Sequence, residues 1–305
     1  MLWINRMIAA ALPHCPQRLV WVFSRRYIAG TTLADAERAA RALNAEGCLV
    51  TIDLLGEFIT TLEAAEANRR EYLGIIAHME AAGIRGNYSL KPTMFGLLLD
   101  PEACWRMVRE VVAAAANRGS FVRLDMEDSQ CVDLEIALFR RLKAEFPASV
   151  GLVVQSYLRR TAADLEGLLD LHRDDRPLSI RLCKGIYIEP PAVAFQHRGE
   201  VRQRFLADLA FLLERGVHVG IATHDAPLVE GACRLLDGHR TPRDRCEFQM
   251  LYGVTPALRR ALLAAGHRMR VYVPFGRQWF AYSTRRLKEN PHIASHIIKS
   301  LVVRG

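Results

Sequence analysis

The sequence predicts an α/β fold in which eight parallel strands, each followed by a helix, close into a (β/α)8 TIM-type barrel. Three observations carry this prediction. Eight short β-branched or apolar runs recur along the chain, and each ends in polar residues. Helical stretches with apolar residues at three- and four-residue spacing lie between them. The runs start roughly 23 to 40 residues apart, the scale of right-handed βα units in a parallel sheet. Eight units favour closure over an open doubly wound sheet. An open nucleotide-binding sheet would also carry a Gly-rich phosphate loop, and the chain has neither G-x-G-x-x-G nor G-x-x-x-x-G-K-[ST].

In order, residues 1–46 read as two or three helices packed on the barrel, and 47–305 as the barrel itself. The opening MLWINRMIAAALPHCPQ holds a six-residue apolar run, Met7 to Leu12, closed by Pro13. That is shorter than the ~7–15 residues of a secretory core and reads as an amphipathic helix. The strand runs are CLVTIDLLGE (48–57), GNYSLKPTMFG (86–96), FVRLDMED (121–128), VGLVVQSYLRR (150–160), LSIRLCKGIY (178–187), HVGIATHD (218–225), CEFQMLYG (246–253) and MRVYVPFG (269–276). Between them, TTLEAAEANRREYLGIIAHMEAAG, PEACWRMVREVVAAAANRG and VRQRFLADLAFLLERG are helical patterns that stop at Gly, as helices tend to.

Composition bounds the function. With 305 residues, 50% hydrophobic and 24% charged, the chain is neither disordered, collagen-like nor a disulfide scaffold. Its charge of 41 − 33 = +8 raises nucleic acid, an anionic membrane surface or an acidic substrate as partners. No stretch approaches the ~18 apolar residues of a membrane span. Cys15, Cys48, Cys104, Cys131, Cys183, Cys233 and Cys246 never pair as C-x-x-C. They read as reduced apolar fillers of a cytoplasmic protein, and contact with a membrane surface stays open.

Barrel chemistry sits where strands end and loops converge. Those ends supply Asp53 and Glu57, Lys91, Asp125 and Glu127, Gln155, Arg181 and Lys184, Thr223 with His224 and Asp225, Gln249 and Tyr252, and Tyr272. After the eighth run, AYSTRRLKEN puts Tyr282, Arg285, Arg286 and Glu289 on adjoining helix faces. Two neighbouring guanidiniums suit a small carboxylate, whose geometry their planar forks match. A solvated Arg–Glu surface pair is the alternative from spacing alone.

The run Y-x-x-R-R-x-x-E-N resembles the signature of proline dehydrogenases, both the monofunctional bacterial enzymes and the dehydrogenase domain of proline utilization A. DLLGE, SLKPTMFG, RLDMEDS, VQSYLRRT, RLCKGIYIEP, IATHD, EFQMLYG and VYVPFG agree in order, so the resemblance spans about residues 47 to 290. Pro92 stands where Leu is common and Cys183 where Val is common; both leave the neighbouring polar group in place. The resemblance implies a distorted (β/α)8 barrel that holds FAD, with a C-terminal helix that clamps substrate.

Residue by residue, it implies that Lys91, Arg285 and Arg286 hold the L-proline carboxylate while Tyr187, Leu251, Tyr272 and Tyr282 wall the ring. Asp125 and Arg181 are implied as the catalytic pair, Asp125 orienting the cations and Arg181 near the flavin N5–O4 edge. Met126, Gln155, Arg181, Lys184, Gly185, Ile186, Thr223 and His224 are the implied FAD positions. Glu57 and Arg285 are expected to pair as a gate over bound proline, with Glu289 as a competing partner. Glu127 and Asp128 read as caps of the following helix. The implied reaction is oxidation of L-proline to Δ1-pyrroline-5-carboxylate by hydride transfer from C5 to flavin N5, with electrons passed to membrane quinone. The implied location is cytoplasmic and peripheral on the inner face of the bacterial membrane.

Metal is not expected, because His224 lacks neighbours with ligand spacing, and His292 and His296 lack the Glu of H-E-x-x-H. Two other readings compete. A Schiff-base aldolase would use Lys91 or Lys184. A non-catalytic basic nucleic-acid-binding barrel would need aromatic-basic interleaving, which the chain lacks.

Overall fold

The computed structural model describes residues 20–21, 24–280 and 282–283. Helix α1 (Leu33–Ala45) precedes the barrel. There follow β1 (Leu49–Leu54), α2 (Leu62–Ala81), β2 (Gly86–Leu90), α3 (Pro101–Ala116), β3 (Val122–Leu124), α4 (Val132–Glu145), β4 (Val150–Gln155) and α5 (Thr161–Leu168). The second half comprises β5 (Ser179–Cys183), α6 (Arg198–Glu214), β6 (His218–Ala222), α7 (Ala226–Gly238), β7 (Cys246–Leu251), α8 (Pro256–Ala264) and β8 (Met269–Phe275). All eight strands are parallel and close in chain order, with β8 paired to β1 from Leu49↔Arg270 to Leu54↔Phe275.

Helix starts follow local chemistry. Thr32 and Asp35 form a capping box at α1, the Thr32 hydroxyl accepting from Asp35 N at 3.2 Å and the Asp35 carboxylate accepting from Thr32 N at 3.1 Å. Asp100 accepts from Glu102 N and Ala103 N at 3.0 Å, and Pro101 opens α3 where no backbone donor is needed. Behind α2, α3 and α6 the chain turns at Gly83, Gly119 and Gly216 with φ of 66 to 68°, a left-handed turn that lets each helix stop. The run 86–96 is not one element: β2 stops at Leu90, and Pro92–Phe95 wind into a 3-10 turn closed by Gly96 at φ 81°.

Strand parity sorts the residues. Val50, Ile52, Tyr88, Leu90, Leu152, Ile180, Ile221, Phe248 and Val271 are buried on the outer face of the sheet, packed with helix residues such as Ile76, Val108, Phe139 and Phe205. The alternate positions face the barrel interior and are polar: Thr51, Asp53, Asn87, Ser89, Arg123, Gln155, Arg181, Glu247, Gln249 and Arg270, all buried. Buried polar groups need partners, and most of these atoms find them on other strands, with Asp53 Oδ2, Arg123 Nε and Arg181 Nη2 as exceptions. Thr51 donates to Asn87 Oδ1 at 2.5 Å, Arg123 donates to Ser179 O at 2.8 Å, and Arg270 Nε donates to Glu247 Oε1 at 2.6 Å. The resulting interior combines neutral hydrogen bonds, the Arg270–Glu247 ion pair and, at the strand ends, the Asp53, Lys91, Asp125 and Arg181 charges. Among the described residues no helix is long and apolar enough to cross a membrane.

Candidate active site

The strand ends open into a cavity of about 840 Å³, within the range of small-molecule and cofactor sites. Its lining includes Lys91, Asp125, Met126, Gln155, Arg181, Lys184, Gly185, Ile186, Tyr187, Thr223, His224, Leu251, Tyr272 and Tyr282. The tertiary structure therefore gathers fourteen sequence-predicted site residues from seven of the strand ends and the segment beyond β8. Glu57, half-buried in the loop after β1, is not part of that lining. Arg285, Arg286, Glu289, His292 and His296 lie outside the described residues, so the expected carboxylate clamp and the Glu57–Arg285 gate do too.

Asp125 is the hub. Its Oδ1 accepts from Ser89 Oγ at 2.6 Å and from Arg181 Nη1 at 2.9 Å; its Oδ2 accepts from the Tyr272 hydroxyl at 2.7 Å and Lys91 Nζ at 3.4 Å. Lys91 also reaches Asp53 Oδ1 at 3.2 Å and the Tyr272 oxygen at 3.4 Å. Burial alone would raise the Asp125 pKa, but Lys91, Arg181 and the Ser89 and Tyr272 bonds outweigh it and hold the carboxyl below its ordinary value. Asp53 goes the other way. Full burial and the charge of Asp125 push it up against the pull of Lys91. Burial and both carboxylates push the Tyr272 phenol well above its ordinary value, so it acts here as a donor.

Arg181 is fixed on two sides. Its Nε donates to Gln249 Oε1 at 2.5 Å, and its Nη1 donates to Asp125 and to Ser89 Oγ at 3.1 Å. Its Nη2 is buried with no protein partner. A buried guanidinium nitrogen without an acceptor is costly unless something bound supplies one. Around the rim, Lys184 pairs with Asp225 at 3.1 Å, which also takes two bonds from Arg202 at 2.9 and 3.0 Å. Gly185 has φ 109°, and a Cβ there would lie 2.0 Å from the Tyr157 ring, so the loop backbone itself forms the wall. Gln155 donates to Glu127 O at 2.7 Å, and Thr223 Oγ1 accepts from Asp225 N at 3.1 Å. His224 Nε2 accepts from Leu251 N at 2.8 Å. Among the described residues no group of three His, Cys, Asp or Glu side chains is placed to hold a metal ion.

The helix-cap expectation for Glu127 and Asp128 is corrected by the structure. Glu127 is buried and turns away from α4, accepting from Thr93 N at 3.0 Å and Thr93 Oγ1 at 2.6 Å. Asp128 accepts from Gln130 N at 3.2 Å, ahead of α4, whose first turn has no side-chain cap. Two residue classes escaped the sequence reading. The individual roles of Asp53 and Gln249, which the sequence places among the strand-end residues, are not readable there because their partners come from other strands. Ser24, Tyr27, Arg198 and Arg202 also line the cavity. Only the Arg198–Arg202 spacing at the start of α6 was a visible signal; Ser24 and Tyr27 precede the barrel and carry none.

A closed (β/α)8 barrel with a charged cavity at the strand ends defines the class: a barrel enzyme acting on a small polar substrate. The family follows from comparison with known proteins. The family model described as proline dehydrogenase matches residues 36–299. The chain is 36% identical over 287 residues to the proline dehydrogenase of Deinococcus radiodurans, covering 93% of this chain and 91% of that one. It is 34% identical over 279 residues to proline dehydrogenase 1 of Bacillus subtilis subsp. natto, covering 92% and 90%. Among solved structures, proline utilization A from Bdellovibrio bacteriovorus inactivated by N-propargylglycine shares the fold with a TM-score of 0.82 at 23% identity. That match covers 88% of this chain but 32% of the longer protein. The chain belongs to the proline dehydrogenase family, and it is an enzyme of that kind.

Proposed function

We propose that this chain oxidises L-proline to Δ1-pyrroline-5-carboxylate with FAD bound across the strand ends. The observation that carries the cofactor reading is the buried Nη2 of Arg181, without a protein acceptor in a cavity of about 840 Å³. The wall at Gly185 and the cations Lys184 and Arg202 fit a dinucleotide's close backbone approach and phosphate charge. When bound there, FAD would supply the hydride acceptor at N5 for C5 of proline and pass the electrons to membrane quinone.

The chain's own residues do the rest. Asp125 ties Lys91, Arg181 and Tyr272 into one unit, so the cations are oriented before substrate arrives. Lys91 would meet the proline carboxylate together with Arg285 and Arg286 of the R-R pair. Tyr187, Leu251, Tyr272 and Tyr282 would cover the ring and exclude water. Glu57 is assigned to the gate with Arg285, and the basic charge of +8 supports contact with an anionic membrane from the cytoplasmic side. A Schiff-base reading requires a lysine amine, at Lys91 or Lys184, that gives up its proton to become a nucleophile, which a carboxylate partner disfavours. Both are ion-paired, Lys91 with Asp53 and Asp125, Lys184 with Asp225.

The test is a flavin spectrum of the purified protein, before and after anaerobic addition of L-proline. Flavin absorbance that bleaches with proline supports cofactor and substrate together. A colourless protein, or a flavin that proline leaves oxidised, overturns the proposal.

A further inference from the structure

The register across three strands leaves a notch in the barrel wall beside Arg181. Arg181 on β5 pairs with Gly220 on β6, and Gly220 pairs with Glu247 on β7. All three positions face the interior, and the middle one has no side chain. Gln249, two residues on from Glu247, folds its amide into that space: a Cβ on Gly220 would lie 2.3 Å from Gln249 Nε2. From the notch, Gln249 Oε1 accepts from Arg181 Nε at 2.5 Å while Nε2 donates to Glu247 Oε1 at 2.7 Å. Glu247 is held in turn by Arg270, at 2.6 Å from Nε and 3.1 Å from Nη2, and Arg270 Nη1 donates to Val50 O at 2.9 Å.

The polarity of this chain is forced. Arg181 Nε can only donate, and an ionised carboxylate can only accept. An amide serves both at once, with its oxygen towards Arg181 and its nitrogen towards Glu247. Glu247 thereby selects which end of Gln249 meets Arg181. With Nε and Nη1 both engaged, the planar guanidinium has lost its rotational freedom. The direction of its remaining nitrogen, Nη2, is then set from below.

We propose that Glu247 and Gln249, seated in the notch at Gly220, are positioning residues that aim Arg181 Nη2 at the bound cofactor. The proposal rests on the flavin reading above and goes beyond it. Its consequence is a ladder from the barrel floor, Arg270–Glu247–Gln249–Arg181, that tunes the flavin from beneath without Glu247 touching the cavity.

The test measures the flavin midpoint potential of the holoenzyme by equilibration with a reference dye, in wild type and in Arg181→Ala, Gln249→Met and Gly220→Ala variants. Arg181→Ala is expected to make the potential more negative, because a cation favouring the reduced flavin is gone. Gln249→Met and Gly220→Ala are expected to shift it in the same direction; each tenfold loss of preference for reduced flavin reads as about 30 mV. Gln249→Met made in the Arg181→Ala background should add nothing further, since it acts through Arg181. If Gln249→Met does not retain flavin, Gly220→Ala decides alone, as it removes no polar group and its Cβ meets only the end of a flexible side chain. Wild-type potentials in Gln249→Met and Gly220→Ala beside a shifted Arg181→Ala overturn this inference and leave the flavin reading standing. An unshifted Arg181→Ala removes Arg181 from the flavin and overturns this inference too, whereas a purified wild type without flavin overturns the reading on which it rests.

Discussion

Ion pairs on the outer helices and those at the barrel mouth use the same residue types at similar distances, yet they do different work. Arg140 of α4 meets Asp170 at 2.7 Å with side chains 36% and 62% exposed, and Arg141 of α4 meets Glu102 of α3 at 2.5 Å with 42% and 63% exposed. Inside, Lys91–Asp53 spans a longer 3.2 Å with 9% and 1% exposed, and Arg181–Asp125 spans 2.9 Å with 7% and 14%. Distance is therefore a poor guide to coupling. Water screens the outer pairs, and each can be lost without stranding a charge. In the interior one carboxylate, Asp125, serves two cations and a phenol, so its loss leaves buried charge uncompensated.

The sharpest way to break this comparison is Asp125→Ala. It leaves the buried Arg181 without its carboxylate partner and Lys91 still paired with Asp53, and is expected to cost about 3–5 kcal/mol of stability, read by urea unfolding with unchanged slope. A loss below about 1 kcal/mol would place the mouth cluster in the same class as the surface pairs. Next comes acid. Burial would raise the Glu247 carboxyl, but Arg270 outweighs it and holds the pKa down to about 2. A carboxyl whose folded pKa is depressed contributes stability that is complete above its unfolded value near 4.5 and disappears as pH falls towards 2. Over that window wild type should lose on the order of 3 kcal/mol more than Glu247→Gln. Glu102→Gln, an outer control, should titrate like wild type. Equal slopes for all three proteins would refute the distinction.

A middle case tests a buried carboxyl held by a hydroxyl and a backbone N–H, with Lys91 acting only at a distance. Thr93 is buried, donates to Glu127 at 2.6 Å and accepts from Phe58 N at 3.0 Å. Burial pushes the Glu127 carboxyl up to about 7, with Thr93 opposing. Thr93→Val keeps the shape but removes both bonds, at about 1–3 kcal/mol by thermal or chemical unfolding. The smallest effect belongs outside: Asp170→Ala, which removes the partner of Arg140, should cost less than about 1 kcal/mol. A larger cost would mean that this ion pair orders α4 against the 3-10 turn that follows α5.

Much of this molecule is legible along the chain. Strand alternation and Gly-terminated helices depend on neighbours a few residues apart, so β1 to β8 appear in the sequence nearly as they stand. The strand-end residues were legible for the same reason: a strand must end, and in a barrel all its ends share one mouth. What failed were statements that needed a partner. Glu127 looks like a helix cap because Asp or Glu before a helix often is one; in the fold, Thr93 of the preceding unit is closer. Gly220 looks like an ordinary strand residue and becomes a notch only when Arg181 and Glu247 flank it.

The sequence by itself determined the barrel, the face that carries chemistry and the identity of most of the polar groups there, because periodicity and local punctuation are properties of the chain. Only the tertiary structure decided which of those groups are joined. Asp125 acquires its low pKa, Asp53 its raised one and Arg181 its orientation from strands tens of residues away. Those contacts arise when closure of the sheet removes water and leaves each buried charge to find whatever partner the register has set beside it.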